Sequence, residues 1–217
     1  MEIPHSAFAN IIAELERRPL EQNNYRKKSG EGRSQAFGLV NRRCLPPDAS
    51  RQCWKRPYLY KLLLNFAEQY VDISWNAITL NQNYRADKHR DKHNSGNSFL
   101  VAFGSYAGGE LLIHEGDLSG SHDIWCKPIK TDFSKVLHSV ASFTGQRYSL
   151  VYYTLVSERM PADPPILTVK YENDKYIFYR NDTPILNGLP HPLRGRAREE
   201  ILETARKKKN ASNPESN

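Results

Sequence analysis

Arg85-Ala-Asp-Lys-His89-Arg-Asp91-Lys-His-Asn94 is the stretch on which the reading of this chain turns, together with a distant His138 and an Arg147-Tyr-Ser149 just beyond it. In an extended segment His89 and Asp91 project to the same face, as two ligands of one ion require. A second imidazole, His138, must then come from a neighbouring strand. Two imidazoles and one carboxylate cap one face of a six-coordinate Fe(II) and leave three positions open. Taken alone, a His-x-Asp pair is more often two surface polar residues than a metal site. A competing zinc set of His89, Asp91 and His93 also shares one face by alternation. That set leaves His138 and Arg147 without a role.

Arg147 and Ser149 alternate on one strand face, while Tyr148, Leu150 and Tyr152 face the other side. A guanidinium fork at Arg147 suits a carboxylate by paired, charge-assisted hydrogen bonds, and the Ser149 hydroxyl adds a donor. With an iron site next to it, such a clamp fits the far carboxylate of 2-oxoglutarate. Arg85 is expected either to reach the other carboxylate or to pair with Asp87.

Outward from the motif, the chain is helical first and β-rich afterwards. Ser6 reads as an N-cap, and Phe8, Ile11, Ile12 and Leu15 repeat at helical spacing, so the pattern predicts a helix over 6–18, ended by Pro19. Residues 21–34 read as a polar loop, Ala36–Val40 as a short strand, and the basic stretch through Arg56 as a second loop. Pro57 opens another helix, with Leu59, Leu62, Leu63 and Phe66 on one side. Strands are expected at Ile73–Asn81, Ser98–Gly104, Glu110–His114 and Arg147–Thr154, with Gly108-Gly109 as a hairpin turn. Residues 115–132 read as a loop, Phe133–Phe143 as two short strands, and Ile166–Tyr179 as a hairpin around Glu172-Asn-Asp174. Residues 195–209 are helix-permissive and end in Arg206-Lys-Lys-Lys209, and 210–217 read as disordered. This order fits an α+β fold, an antiparallel sandwich or jelly roll buttressed by N-terminal helices. It predicts a single domain over 1–209, with the buttress at 1–72 and the core at 73–180.

Bulk properties limit the partners. Apolar runs are too short to cross a bilayer, and the polar start Met1-Glu-Ile-Pro-His5 lacks a signal-peptide core, so no membrane partner is expected. Cys44, Cys53 and Cys126 show no CxxC spacing and suit a reducing compartment, hence an intracellular protein. The formal charge of +7 is carried by the N-terminal third and the tail. Phosphate backbones attract such a surface, although charge alone is equally consistent with a solvated basic face.

The run Asn83 to Ser98 around the His-x-Asp-x-x-Asn motif, then Gly104-Ser-Tyr-Ala-Gly108-Gly109-Glu-Leu, then His138 and Gly145-Gln-Arg147-Tyr-Ser149-Leu-Val-Tyr-Tyr, resembles the TET/JBP family of Fe(II)/2-oxoglutarate dioxygenases. Gly38-Leu-Val, Pro57-Tyr-Leu-Tyr60 and Trp75-Asn-Ala-Ile-Thr-Leu-Asn81 look like that family's lead-in, so the resemblance covers about residues 35–155. It implies a double-stranded β-helix (jelly-roll, cupin-like) core and oxidation of the C5-methyl group of 5-methylcytosine or thymine in nucleic acid, with succinate and CO2 as co-products. By position, it implies that His89, Asp91 and His138 are the iron ligands, that Arg147 and Ser149 grip 2-oxoglutarate, and that Arg85 is its second carboxylate contact. Asn94 would hydrogen-bond the polar edge of a flipped base, the competing role being a loop cap at Asn94-Ser-Gly96. The sequence departs from the pattern after Arg-x-Ser. Cytosine-acting members place a histidine against the base there, and this chain reads Val151-Tyr-Tyr-Thr-Leu155.

The implied cofactors are Fe(II), 2-oxoglutarate and O2, and the implied partner is nucleic acid, DNA rather than RNA, met by a monomer. The location would be nuclear in a eukaryote. A methyl group inside a duplex is out of reach, so the base must be flipped or the strand single. Trp54, Tyr58 or Tyr106 would stack on or wedge beside it. Two other readings stay open: the same chemistry on a free nucleoside, an amino acid or a protein side chain, and a catalytically inactive nucleic-acid-binding domain.

Overall fold

The structure, a computed structural model, describes residues 2–22, 30–42, 44–162 and 164–185. The predicted helix at 195–209, its Arg206–Lys209 end and the 210–217 segment lie outside these residues.

The first predicted helix is a single 3-10 turn, His5–Phe8, running into α1 (Ala9–Arg17), with Phe8, Ile11 and Leu15 buried. Ser6 is therefore inside the first turn rather than its cap. β1 (Gly30–Arg42) is far longer than the expected strand and takes in the end of the predicted loop. The basic stretch after it holds β2 (Leu45–Ala49) and the short α2 (Arg51–Lys55), capped by the Ser50 hydroxyl accepting from the Gln52 amide. α3 (Pro57–Tyr70) begins at its proline and buries Leu59, Tyr60, Leu63 and Phe66.

Nine further strands follow, named in chain order: β3 (Ala77–Ala86), β4 (Asn94–Gly108), β5 (Leu111–Ile113), β6 (Gly120–His122), β7 (Ile129–Thr131), β8 (His138–Val140), β9 (Phe143–Leu155), β10 (Leu167–Glu172) and β11 (Lys175–Arg180). A short β12 (Thr183–Pro184) extends the last hairpin, which turns at Asn173-Asp174 as expected. The large sheet has the order β2-β1-β3-β9-β4-β7, and a small sheet has the order β6-β5-β8. Strands β1 and β2, from the segment expected as a buttress, thus belong to the large sheet.

Alternation along the large sheet divides its faces. Phe37, Ile78, Leu80, Phe99, Val101, Phe103, Tyr148, Leu150 and Tyr152 are buried with the helices' Phe8, Leu15, Leu59, Leu63 and Phe66. On the other face Leu100 and Ala102 pack with Leu111 and Ile113 of the small sheet and with Phe133. Helices on one face and a second sheet on the other make the antiparallel jelly-roll core of a double-stranded β-helix.

Gly108-Gly109 is not a hairpin turn. β4 pairs with β9, whereas β5 pairs with β6 and β8, so the glycine pair carries the chain from the large sheet to the small one. Both residues have positive φ, +78° and +74°, which an L side chain rarely adopts.

Candidate metal and dicarboxylate site

A cavity of about 130 Å³ opens between the two sheets. β3 supplies Thr79 and Asn81, β9 supplies Arg147, Ser149, Val151 and Tyr153, and the small-sheet side supplies Leu111, His138 and Val140. His89, Asp91 and Asn94 complete the mouth. The inward positions of β9 are those that the Arg147/Ser149 alternation predicts.

The segment between β3 and β4 is pinned to the small sheet. The His89 amide donates to the His138 carbonyl and the His138 amide to the His89 carbonyl, both at 2.9 Å. The Asp91 amide donates to the Phe133 carbonyl at 3.0 Å. This short antiparallel bridge sets the two imidazoles side by side, with ring centroids 4.3 Å apart and the planes tilted by 49°. His89 Nε2 lies 3.4 Å from Asp91 Oδ1, and one ligand atom from each of His89, Asp91 and His138 falls within 4.8 Å of the others. His93, the third member of the competing zinc set, lines an adjoining cavity instead.

Both imidazoles are oriented for metal. His89 Nδ1 donates to the Asp87 carbonyl at 2.6 Å, and His138 Nδ1 to the Val136 carbonyl at 3.0 Å. In each case the acceptor is two residues upstream. That fixes the tautomer with the proton on Nδ1, so Nε2 is the ring atom that could face an ion. Burial lowers the His138 pKa, although the Val136 carbonyl acts in the opposite direction, and this favours the neutral imidazole that ligation needs. The donor set therefore fits a facially bound Fe(II).

The other end of the cavity is closed by Arg147, one of the largest fully buried side chains. Its Nε donates to the Gly109 carbonyl at 3.2 Å, and its guanidinium lies 5.4 and 5.6 Å from the ring centres of Tyr106 and Phe143. A Cβ on Gly109 would sit 2.9 Å from Arg147 Cδ and Nε, so the glycine makes room for the side chain. Burial lowers the Arg147 pKa, opposed by Tyr106. Among the described residues no carboxylate forms an ion pair with it. The Glu110 carboxylate acts on it only from beyond ion-pair distance, so an anion entering the cavity could be its direct partner.

Ser149 lines the cavity, with its Oγ accepting from Asn81 Nδ2 at 3.1 Å. Asn81 itself escapes sequence reasoning. Its buried Oδ1 has no hydrogen-bond partner among the described residues, so a ligand donor, or the amide turned over to accept from Ser149, would satisfy it. Its sequence signals are inward alternation with Thr79 on β3 and its place at the end of the Trp75–Asn81 stretch, neither of which assigns it a role.

Arg85 is not brought to the cavity. Strict alternation from Thr79 and Asn81 would turn it inward, but Asn83 adopts a left-handed conformation, φ +50°. There β1 skips from Glu31 to Arg33 opposite two β3 residues, a bulge that shifts the alternation by one. Tyr84 and Ala86 face the cavity, and Arg85 faces out, with its guanidinium 3.8 Å from Glu31. The bulge also frees the Asn83 side chain to accept from the Arg147 amide at 2.8 Å.

Asn94 does not start a turn with Ser95 and Gly96, because β4 begins at it; its side chain instead spans the preceding turn at Lys92-His93. Its Nδ2 donates to Asp91 Oδ2 at 2.8 Å. Among the proposed stacking aromatics, Tyr106 is taken up against Arg147, and Trp54 packs on Phe178 at 4.3 Å. Tyr58 is exposed.

No protein-family model and no curated protein matches the sequence. Solved structures do resemble it. NgTET1 in complex with 5mC DNA aligns over 75% of this chain and 72% of its own, at 14% identity and a TM-score of 0.51. A Pseudomonas putida prolyl-4-hydroxylase aligns over 71% and 89%, at 16% identity and a TM-score of 0.44. A 2OG-Fe(II) oxygenase family oxidoreductase from Burkholderia pseudomallei aligns over 70% and 81%, at 14% identity and a TM-score of 0.44. The likeness to NgTET1 shows a shared double-stranded β-helix fold. No helix among the described residues is long and apolar enough to cross a membrane.

Proposed function

We propose that this protein is an Fe(II)/2-oxoglutarate-dependent dioxygenase. One observation carries the reading: a His-Asp-His cluster and a buried guanidinium without a carboxylate partner face one cavity between the same two sheets. When bound, iron with 2-oxoglutarate and O2 supplies oxidation of an unactivated C–H bond, giving succinate and CO2. His89, Asp91 and His138 hold the metal. Arg147 receives the distal carboxylate of 2-oxoglutarate with its planar fork, and Ser149 adds a hydroxyl. Leu100, Leu111, Phe133, Val140 and Val151 line the cavity with apolar surface. They exclude water around that ion pair and so strengthen it.

The substrate we propose is the C5-methyl group of a pyrimidine in nucleic acid, 5-methylcytosine or thymine, and DNA before RNA. The resemblance over the motif residues and the positive charge support it, as does the fold shared with NgTET1, a protein whose solved complex contains 5mC DNA. A second cavity of about 300 Å³ adjoins the first and shares Asp91, Asn94 and Tyr153 with it. It offers a substrate a place beside the metal ligands, with Tyr153 as an aromatic wall and Lys92 and His93 at the rim. The absence of a histidine after Arg-x-Ser leaves Val151 and Tyr153 on the inward face, and this favours a less polar contact than cytosine-acting members make.

The test is anaerobic loading with Fe(II) and 2-oxoglutarate, then O2, in the presence of methylated or unmethylated oligonucleotides. Succinate and modified bases are measured by mass. Succinate with a hydroxymethyl pyrimidine supports the full reading. Succinate without any base product moves the substrate to a free nucleoside, an amino acid or a protein side chain. No 2-oxoglutarate-dependent succinate under any condition overturns the enzyme.

A further inference from the structure

We propose that Asn94 is a positioning residue for the metal-ligand carboxylate, holding Asp91 so that it offers the metal a single oxygen. The inference rests on the iron-site reading above and differs from the base-edge role that the sequence resemblance implies.

The carboxylate is divided between two neighbours. Asp91 Oδ2 accepts from Asn94 Nδ2 at 2.8 Å, and Oδ1 is the oxygen nearest His89 Nε2. A hydrogen bond to an ionised carboxylate is among the stronger kinds, and here it occupies the oxygen other than the one beside His89 Nε2. Without it, Asp91 Oδ2 loses its one side-chain donor among the described residues, and the Asp91 side chain is partly exposed. The carboxylate would then be free to rotate or to chelate through both oxygens.

Asn94 can act as a strut because its own backbone is fixed elsewhere. It pairs with Leu155 in the β4–β9 ladder, and the Val156 amide donates to the His93 carbonyl at 2.9 Å. Asn76 clamps Leu155 from the other side, accepting from its amide at 2.7 Å and donating to its carbonyl at 3.3 Å. The histidines, by contrast, are tied to the small sheet by backbone bonds. The Asn94–Asp91 bond therefore links the ligand-bearing segment to the large sheet, the one that carries Arg147. It sets the carboxylate relative to the opposite end of the cavity.

The readout needs neither 2-oxoglutarate nor a nucleic acid. Co(II) is titrated anaerobically into the wild type and into Asn94→Ala and Asn94→Leu, the latter keeping the side-chain volume. Affinity and the visible ligand-field spectrum are recorded, and circular dichroism checks the fold. Loss of a partner that orients a metal ligand typically weakens metal binding by about 10–100-fold. Both variants are expected to show that loss with an altered spectrum. In an Asp91→Ala background, adding Asn94→Ala should change affinity by no more than about twofold, because the strut has nothing left to hold. Wild-type affinity and spectrum in both single variants overturn the proposal, as does loss of fold in both, which would make Asn94 a structural residue. If the wild type itself binds no Co(II), the metal-site reading falls instead.

Discussion

The two ends of the cavity are built by opposite means. At the mouth, His89, Asp91 and His138 come from short segments, and their geometry is set by a few backbone hydrogen bonds and by Asn94. The His89 and Asp91 side chains remain 32% and 28% exposed. At the far end, Arg147 is 2% exposed and stands inside the long β4–β9 ladder, with Tyr106, Phe143 and Gly109 packed around it. The difference suits what each end would bind under the proposed function. His89, Asp91 and His138 would hold a metal there only with access from outside and neutral imidazoles. A dicarboxylate's far end needs a dry, preorganised cation, where an ion pair is worth more than in water.

Removing a ligand at the mouth should have the largest effect. Asp91→Ala and His138→Ala are each expected to abolish metal-dependent 2-oxoglutarate turnover while circular dichroism stays close to wild type. The pinning bonds are made by the backbone, which both substitutions keep. Near-normal succinate from Asp91→Ala would remove the triad from the site.

At the dry end, Arg147→Lys should raise the apparent Michaelis constant for 2-oxoglutarate by about 10–100-fold, the loss of one charged hydrogen bond of roughly 1.5–3 kcal/mol. Arg147→Met sharpens the contrast. It should lose saturation by 2-oxoglutarate altogether yet melt close to wild type, because removing a buried cation that forms no ion pair offsets the lost hydrogen bond to the Gly109 carbonyl. A marked fall in melting temperature for Arg147→Met would make the guanidinium a structural element rather than a waiting anion site.

Gly109→Ala tests the packing that separates the two ends. Its φ of +74° and a Cβ at 2.9 Å from Arg147 should cost about 1–2 kcal/mol. For a chain of this size that lowers Tm by roughly 2–8 °C. The Michaelis constant for 2-oxoglutarate should rise while Co(II) affinity stays unchanged. Equal damage at both ends would mean that they are not independently built.

Legibility in the sequence follows the same division. Inward alternation on β9 was readable because Arg147 and Ser149 interrupt an aromatic, β-branched run at period two. The helix at Pro57 was readable because proline fixes its start. The pairing of His89 with His138 could not be derived from spacing, since a single antiparallel bridge between distant segments leaves no periodic signal. Nor could the sheet change at Gly108-Gly109, where a glycine pair signals positive φ but not which strand the chain meets next. Asn81 and Asn94 are the same amide in the sequence. Only the fold shows that one faces Ser149 and the other holds Asp91.

Arg85 is where sequence and fold part most clearly, and it carries the smallest expected effect. Counting by twos from Asn81 turns it into the cavity, and a one-residue bulge at Asn83 turns it out. Its partner there, Glu31, is exposed, and at 3.8 Å the pair contributes little in water. Arg85→Ala is therefore expected to change the Michaelis constant for 2-oxoglutarate and the Co(II) affinity by less than about twofold, within the range of a surface substitution. Steady-state kinetics over a 2-oxoglutarate series decides it. A loss approaching that of Arg147→Lys would mean that the strand straightens when the co-substrate binds. Alternation would then be restored, and the bulge would be a switch between two registers rather than a fixed feature of β3.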